Sequence, residues 1–272
     1  LTNRAFCVRV DGTPHFVSIP GAQSELLAIP RADEIYNTRA AAETGIAPRV
    51  LHQLPEEGVL VAEFLQGRTL SKADMHAAGM QTRLAEAARR LHRARPFAND
   101  FDLFRLMHTY SALLTKDGLP FPPGFTDREP RLAEMEQAAG AHRLPSVSCS
   151  NDLVPENLID DGGRLRIVDY GYSGNNDPCS ELGNACCEAG YDQTEMEALC
   201  AAYFGSAEPR LLARIHLYAI MSDVAWSLWS VIQAHISDLQ VDFRAYGAER
   251  WERAKALLDS DAVRTWIGIA GR

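Results

Sequence analysis

The stretch that constrains this chain most is residues 150–170, SNDLVPENLIDDGGRLRIVDY. It reads as a loop, a short strand, a tight turn and a second strand. Asp161-Gly162-Gly163 forms the turn, because glycine reaches φ > 0 without a Cβ penalty. The second strand, residues 165–168, delivers Asp169 at its end. The loop before the first strand carries Asp152 and Asn157. One hairpin thus holds two acids and an amide.

The order D-x-x-x-x-N, followed by a strand-terminal Asp, is the phosphoryl-transfer arrangement of eukaryotic-type kinases. The chemistry accounts for the residue types. Phosphoryl transfer leaves the protein mainly positioning and charge neutralisation. Mg²⁺ takes hard oxygen ligands and keeps part of its water, so one Asp and one Asn amide oxygen suffice. The other carboxylate stays off the metal and faces the nucleophile. An ordinary polar hairpin also carries N-D-L or V-D-Y singly; the joint order and strand context separate the two readings.

SNDLVPENLI, LRIVDYGYSGNNDP and ELGN together resemble the catalytic core of the choline/ethanolamine kinase family, within the wider aminoglycoside-phosphotransferase-like kinases. The likeness runs over nearly the whole chain. It implies an α+β, two-lobe protein-kinase-like fold: a small antiparallel-sheet N-lobe over residues 1–66 and a mainly helical C-lobe over 67–272. It implies an enzyme that moves the γ-phosphoryl group of ATP, with Mg²⁺, to the hydroxyl of choline or a related amino alcohol. On that likeness Asp152 is the catalytic base beside the acceptor, and Asn157 and Asp169 hold Mg²⁺. VLVAEFLQG resembles the lobe hinge, where backbone groups of Glu63, Phe64 and Leu65 bind adenine. Glu34 stands where the family's helix Glu pairs with a strand cation. Glu181 corresponds to the acid that ties its helix to the catalytic loop.

WSLWSVIQAHISDLQVDFRAYGAERW resembles the family's C-terminal part, where aromatic residues wall a quaternary-ammonium pocket. Trp226 and Trp229, three apart, share a helix face. With Tyr246 they become the substrate-binding candidates. A trimethylammonium group donates no hydrogen bond but is attracted to aromatic faces. A plain core helix carries such a pair as well. Trp251 is a third wall or core, and Asp242 an anchor for the last helices.

Four positions depart from the family pattern. Ser18 replaces the Arg or Lys that holds the phosphates, leaving Arg4, Arg9 and Arg31 as replacement cations. Ser150 replaces a His, Gly171 a Glu beside the acceptor's head group, and Ser180 an apolar residue. Two alternatives therefore stand: a kinase of another hydroxyl acceptor (an aminoglycoside, sugar or amino acid), or a pseudokinase that binds a nucleotide or small cation.

The chain has 272 residues, 46% hydrophobic and 23% charged, as in soluble globular proteins. A net charge of −9 disfavours nucleic acid as a partner and suits a cationic small substrate. No apolar run reaches bilayer-spanning length, and no basic-then-apolar leader opens the chain. The six cysteines form no C-x-x-C, which fits free thiols in a reducing cytoplasm. The chain opens at Leu1, and the glycines that precede the family's first hairpin are expected before it.

Periodicity and turn signals set the remaining elements. A hairpin is expected over residues 1–19, turning at Asp11-Gly12 and ended by Pro20-Gly21. A helix spans 31–44, and strands span 49–54 and 58–64 around Pro55-Glu56-Glu57. Gly67 turns the chain. Ser71 and Asp74 form a capping box before a helix over 75–91, with Leu84, Ala88 and Leu91 on one face. The basic group Arg89, Arg90, His92, Arg93 and Arg95 reads as a solvated helix end. Further helices are expected over 101–114, 127–139, 179–189, 193–204 and 208–235.

Overall fold

The computed structural model describes residues 3–20, 31–54 and 57–272, without the side chains of Asn3 and Arg31. Residues 1–2, Gly21 and Pro55-Glu56, part of the expectations above, lie outside the described residues, as does the Arg31 side chain. Contacts divide the chain into two compact units, Leu1–Phe101 with Ser146–Glu181, and Asp102–Pro145 with Leu182–Arg272.

The first unit opens with an antiparallel sheet. Its strands are β1 (Asn3–Val10), β2 (Thr13–Pro20), β3 (Val50–Leu54) and β4 (Val59–Glu63), in the order β1-β2-β4-β3. The turn at Asp11-Gly12 is as expected, with φ of 48° and 79°. Helix α1 (Arg31–Glu43) follows β2. Its inner face is partly polar, because Asn37 is a junction. The Asn37 amide donates to Asn99 Oδ1 at 2.9 Å and Ser173 Oγ at 3.0 Å, and accepts from the Ala98 N–H.

The expected helix over 75–91 is shorter. Lys72–His76 form a 3₁₀ turn, and α2 runs over Met80–Leu91. Gly79, at φ 79°, breaks the run. The Asp74 carboxylate accepts from the Ser71 N–H and hydroxyl at 2.8 and 2.7 Å, so the capping acid is present. Leu84, Ala88 and Leu91 are buried, as their spacing requires. Two small sheets complete the unit. One joins β5 (Arg68–Thr69), β7 (Leu158–Asp160) and β8 (Leu165–Ile167); the other pairs β6 (Val147–Cys149) with β9 (Gly174–Asn176).

The second unit is helical. Asp102 caps α3 (Leu103–Asp117) by accepting the Phe104 and Arg105 N–H groups. Then come α4 (Glu129–Ala141), the main part of α5 (Pro178–Ala189), α6 (Gln193–Phe204), α7 (Pro209–Ile236), α8 (Phe243–Leu258) and α9 (Asp261–Ala270). Helix α7 is the axis. Among the described residues it is the one helix long and apolar enough to cross a membrane, and 89% of its apolar window is buried inside the protein. Close approach of α8 depends on Gly247, where a Cβ would lie 1.7 Å from Ser230 Oγ and 2.8 Å from Ser230 Cβ.

His216 on α7 stacks on Trp266 of α9, with centroids 4.0 Å apart and planes within 4°. Burial lowers its pKa from 6.5 to about 4. The folded chain thus refuses a proton that the unfolded chain binds. Stability is full above pH 6.5 and falls as pH drops toward 4, by about 3 kcal/mol from this group. Urea denaturation across that range should show a shallower acid loss in His216→Phe than in the parent. Parallel curves would contradict this.

Candidate active site

Strands β7 and β8 pair Leu158 with Ile167 and Asp160 with Leu165. Their turn is fixed by carboxylates. Asp161 Oδ1 accepts from the Gly163 and Arg164 N–H groups, and Asp160 Oδ1 from the Gly162 N–H. Gly162 takes φ 88°, which a side chain would strain. The Arg83 guanidinium grips the same turn end of the hairpin through both Asp160 oxygens, at 2.7 and 2.9 Å, and holds that carboxyl below its ordinary range.

The predicted trio converges. Backbone bonds run from the Asn157 N–H to Val154 O and from the Val168 N–H to Asn157 O. Asn157 therefore lies across from Val168, one residue before Asp169. The Asn157 Nδ2 donates to Asp152 O at 3.0 Å and to Asp152 Oδ2 at 3.2 Å. Because the amide donates through nitrogen here, its Oδ1 keeps acceptor capacity. Asp169 is exposed and sits at φ 60°, in the left-handed region. Asn151 does the same at φ 61°. Asp and Asn tolerate that region better than other side chains, yet it still carries strain, and such strain gathers at functional sites.

Asn157 and Asp169 line a cavity of about 410 Å³, within the size range of small-molecule sites. Glu34, Glu63, Phe64 and Leu65 line the same cavity. All six residues expected around nucleotide and metal thus line one cavity, while Asp152 is not part of that lining and is joined to it through its hydrogen bond from Asn157. Phe16, Leu60 and Ala62 add an apolar wall. Ser18 and the acids Glu34, Glu63, Glu156 and Asp169 face the cavity, and among the described residues no Lys or Arg lines it. The exposed Asp169 carboxylate and the Asn157 amide oxygen form a hard-oxygen donor pair that fits Mg²⁺.

The loop before Asp152 is anchored from beneath. Glu181, fully buried on α5, accepts the Ser150 N–H at 2.9 Å and the Asn151 N–H at 2.7 Å. The Asn151 side chain donates to Tyr172 O and accepts from Asn176, which also donates to Ser180 Oγ. Ser180 is thus a polar strut in place of an apolar residue.

His92 corrects the reading of a solvated helix end. Its side chain is 4% exposed, with Nε2 at 3.9 Å from Glu181 Oε1 and 3.6 Å from Cys149 Sγ. It lies four residues after Ala88, on the buried face of α2, and that spacing was the available signal. Burial, then the Glu181 charge, holds the Cys149 thiol well above its usual range. That protonated thiol and the two N–H groups already on Glu181 make the trio a brace. Arg95 likewise pairs with Glu43 and lies 4.1 Å from the Tyr36 ring centroid.

In the second unit Trp226 and Trp229 are each 4% exposed and meet edge to face, 6.0 Å apart. Trp229 also meets Tyr246 at 6.1 Å and Phe243 at 5.6 Å. Sequence reasoning missed Phe243, although it precedes Tyr246 by three on one face of α8. Asp242 caps that helix by accepting the Ala245 N–H. Trp251 is core: it is 1% exposed, packs on Phe125 and donates its indole N–H to Pro123 O.

The fold is that of the protein-kinase-like phosphotransferases. The Choline/ethanolamine kinase model matches residues 1–203, and the chain belongs to that family. Rat (Rattus norvegicus) ethanolamine kinase 2 is 27% identical over 264 residues, covering 87% of this chain and 68% of that protein. The crystal structure of a choline/ethanolamine kinase family protein from Mesorhizobium loti is 34% identical, with a TM-score of 0.88, covering 100% of this chain and 90% of that one. The GDP complex of an aminoglycoside 2'-phosphotransferase, 17% identical with a TM-score of 0.65, covers 94% and 90% and shares the fold.

Glu181→Ala would leave two buried N–H groups without their acceptor. The expected loss of stability is about 2–4 kcal/mol, read from urea denaturation, with a smaller loss in Glu181→Gln. A loss below about 0.5 kcal/mol would remove Glu181 as the loop's anchor.

Proposed function

We propose that the chain transfers the γ-phosphoryl group of ATP to the hydroxyl of an amino alcohol, with choline heading the class. The observation that carries this reading is the convergence of Glu34, Glu63, Phe64, Leu65, Asn157 and Asp169 on one cavity, with Asp152 hydrogen-bonded to Asn157. Backbone groups of Glu63 to Leu65 would receive adenine against the apolar wall. Asn157 and Asp169 would hold Mg²⁺, which supplies charge neutralisation at the phosphates when bound. Asp152 would accept the acceptor's hydroxyl proton. Its bond from Asn157 Nδ2 holds the carboxylate in one orientation, which a positioned base requires. Trp226, Trp229 and Tyr246 would receive the ammonium group on their rings.

A second reading draws on one specific observation. Ser18 and Glu34 both line the cavity, and no described Lys or Arg lines it. A polyphosphate has little to pair with there, as in a pseudokinase. Failure of millimolar Mg²⁺-ATP to raise the melting temperature favours the pseudokinase, whereas a rise accompanied by phosphoryl transfer from labelled ATP favours the enzyme.

Asp152→Ala should lower kcat by about 10²- to 10⁴-fold with nucleotide affinity nearly retained, measured with labelled ATP and a panel of hydroxyl acceptors. Choline and its relatives should lead aminoglycosides, sugars and amino acids. An unchanged kcat would remove Asp152 from the mechanism.

A further inference from the structure

Next to the aromatic group of the second unit lies a buried ion quartet. Arg250 of α8 donates to Glu188 of α5 at 2.6 Å and to Asp223 of α7 at 3.2 Å. Arg253, one turn on, donates to both oxygens of Asp223 at 2.5 and 3.0 Å. The side chains of Arg250, Asp223 and Glu188 are 6%, 6% and 8% exposed, and Arg253 is 37% exposed. The Cys187 thiol touches both guanidinium groups, at 4.0 and 3.9 Å. Burial, then the charges of Asp223 and Glu188, hold it well above its ordinary range, so it stays neutral. Within these four side chains two cations and two anions cancel; Arg253 also pairs with the exposed Glu249 at 3.3 Å.

Such a cluster is an expensive way to join three helices. Each buried ion loses several kcal/mol of hydration, and well-packed apolar side chains would serve cohesion at least as well. Its position suggests another use. The Arg250 guanidinium carbon lies 4.6 Å from the Tyr246 ring centroid, and Tyr246 meets Trp229. Asp223 precedes Trp226 by three residues on α7, so the two share a helix face.

A guanidinium on one face of Tyr246 holds that ring in place. It also places positive charge beside rings that are to attract a second cation. Unbalanced, that charge would work against an ammonium ligand. We propose that Glu188 and Asp223 set the charge of the aromatic group: by cancelling Arg250 and Arg253, they let Trp226, Trp229 and Tyr246 accept a cationic head group. Arg250 then acts as a positioning residue for Tyr246. This rests on the ammonium-binding reading above and adds to it the source of the charge balance.

The test is equilibrium binding of choline, and of dimethylbutanol as its neutral carbon isostere, to the full chain and three variants. A unit charge about 10 Å away, at an effective dielectric of about 20, changes a cation's affinity by roughly tenfold. Glu188→Gln leaves a net positive charge, so choline affinity should fall by roughly that factor while the isostere barely changes. Arg253→Met removes a partly exposed cation and leaves the buried pairs of Arg250 in place. It should raise choline affinity several-fold and again leave the isostere unmoved. Opposite signs for Glu188→Gln and Arg253→Met, confined to the charged ligand, support the proposal. Equal effects on both ligands, or unchanged choline affinity in a folded Arg253→Met, overturn it. Choline binding lost in Trp229→Ala alongside that unchanged affinity would leave the aromatic site standing without the charge balance. A parent chain that binds the isostere as well as choline overturns the ammonium-binding reading, and this proposal with it.

Discussion

Glu181 accepts the N–H groups of Ser150 and Asn151 from a fully buried position, and the loop that follows takes its path from those two bonds. A buried carboxylate is costly unless it is hydrogen-bonded. Here the cost is offset by two charge-assisted backbone bonds. The bonds also fix the chain at the point where Asn151 enters the left-handed region. Asp152 is the next residue, so its direction follows from a helix some thirty positions downstream in the sequence. The Asn151 side chain closes the arrangement by joining Tyr172 and Asn176. The loop that carries Asp152 thus rests on a buried polar frame.

The cavity has a definite electrostatic character. Four acidic residues line it, Glu63 among them paired with Arg49 at 3.3 Å, and among the described residues no Lys or Arg lines it. Polyphosphate is repelled by such a surface unless a cation comes with it. Asn157 and Asp169 offer the hard oxygens that a divalent cation takes. Charge neutralisation by a bound metal would matter more with Ser18 at this position than with a lysine there. In the second unit the charges are paired instead: Arg250, Glu188 and Asp223 are buried, and the aromatic rings of Trp226 and Trp229 lie buried beside them.

Much of this was legible in the sequence, for physical reasons. The hairpin around Asp161-Gly162 announced itself because turn residues and alternating strands are local signals. The helices at 193–204 and 208–235 were bounded by caps and by Pro209. Glu34, Glu63, Phe64 and Leu65, which line one cavity with Asn157 and Asp169, were picked out by the family likeness and not by local signals. What escaped depended on contacts between elements distant in sequence. His92 looked like one of five basic residues at a helix end, and only its neighbours Glu181 and Cys149 show why it is buried. The helix break at Gly79 lost to an apolar pattern that ran straight through it. Arg250 gave no sign of its place on the Tyr246 ring, since stacking depends on where Glu188 and Asp223 hold the guanidinium. Trp251 could be wall or core until its indole N–H was seen on Pro123.

The central claim is that one hairpin gathers an amide and an acid into a divalent-cation site beside a nucleotide. Mn²⁺ binding in the presence of ADP, followed by electron paramagnetic resonance, tests it most directly. The account predicts a nucleotide-dependent Mn²⁺ site in the parent chain that weakens by more than about tenfold in Asp169→Asn. Mn²⁺ bound equally well by Asp169→Asn, or no nucleotide-dependent site in the parent, would contradict it.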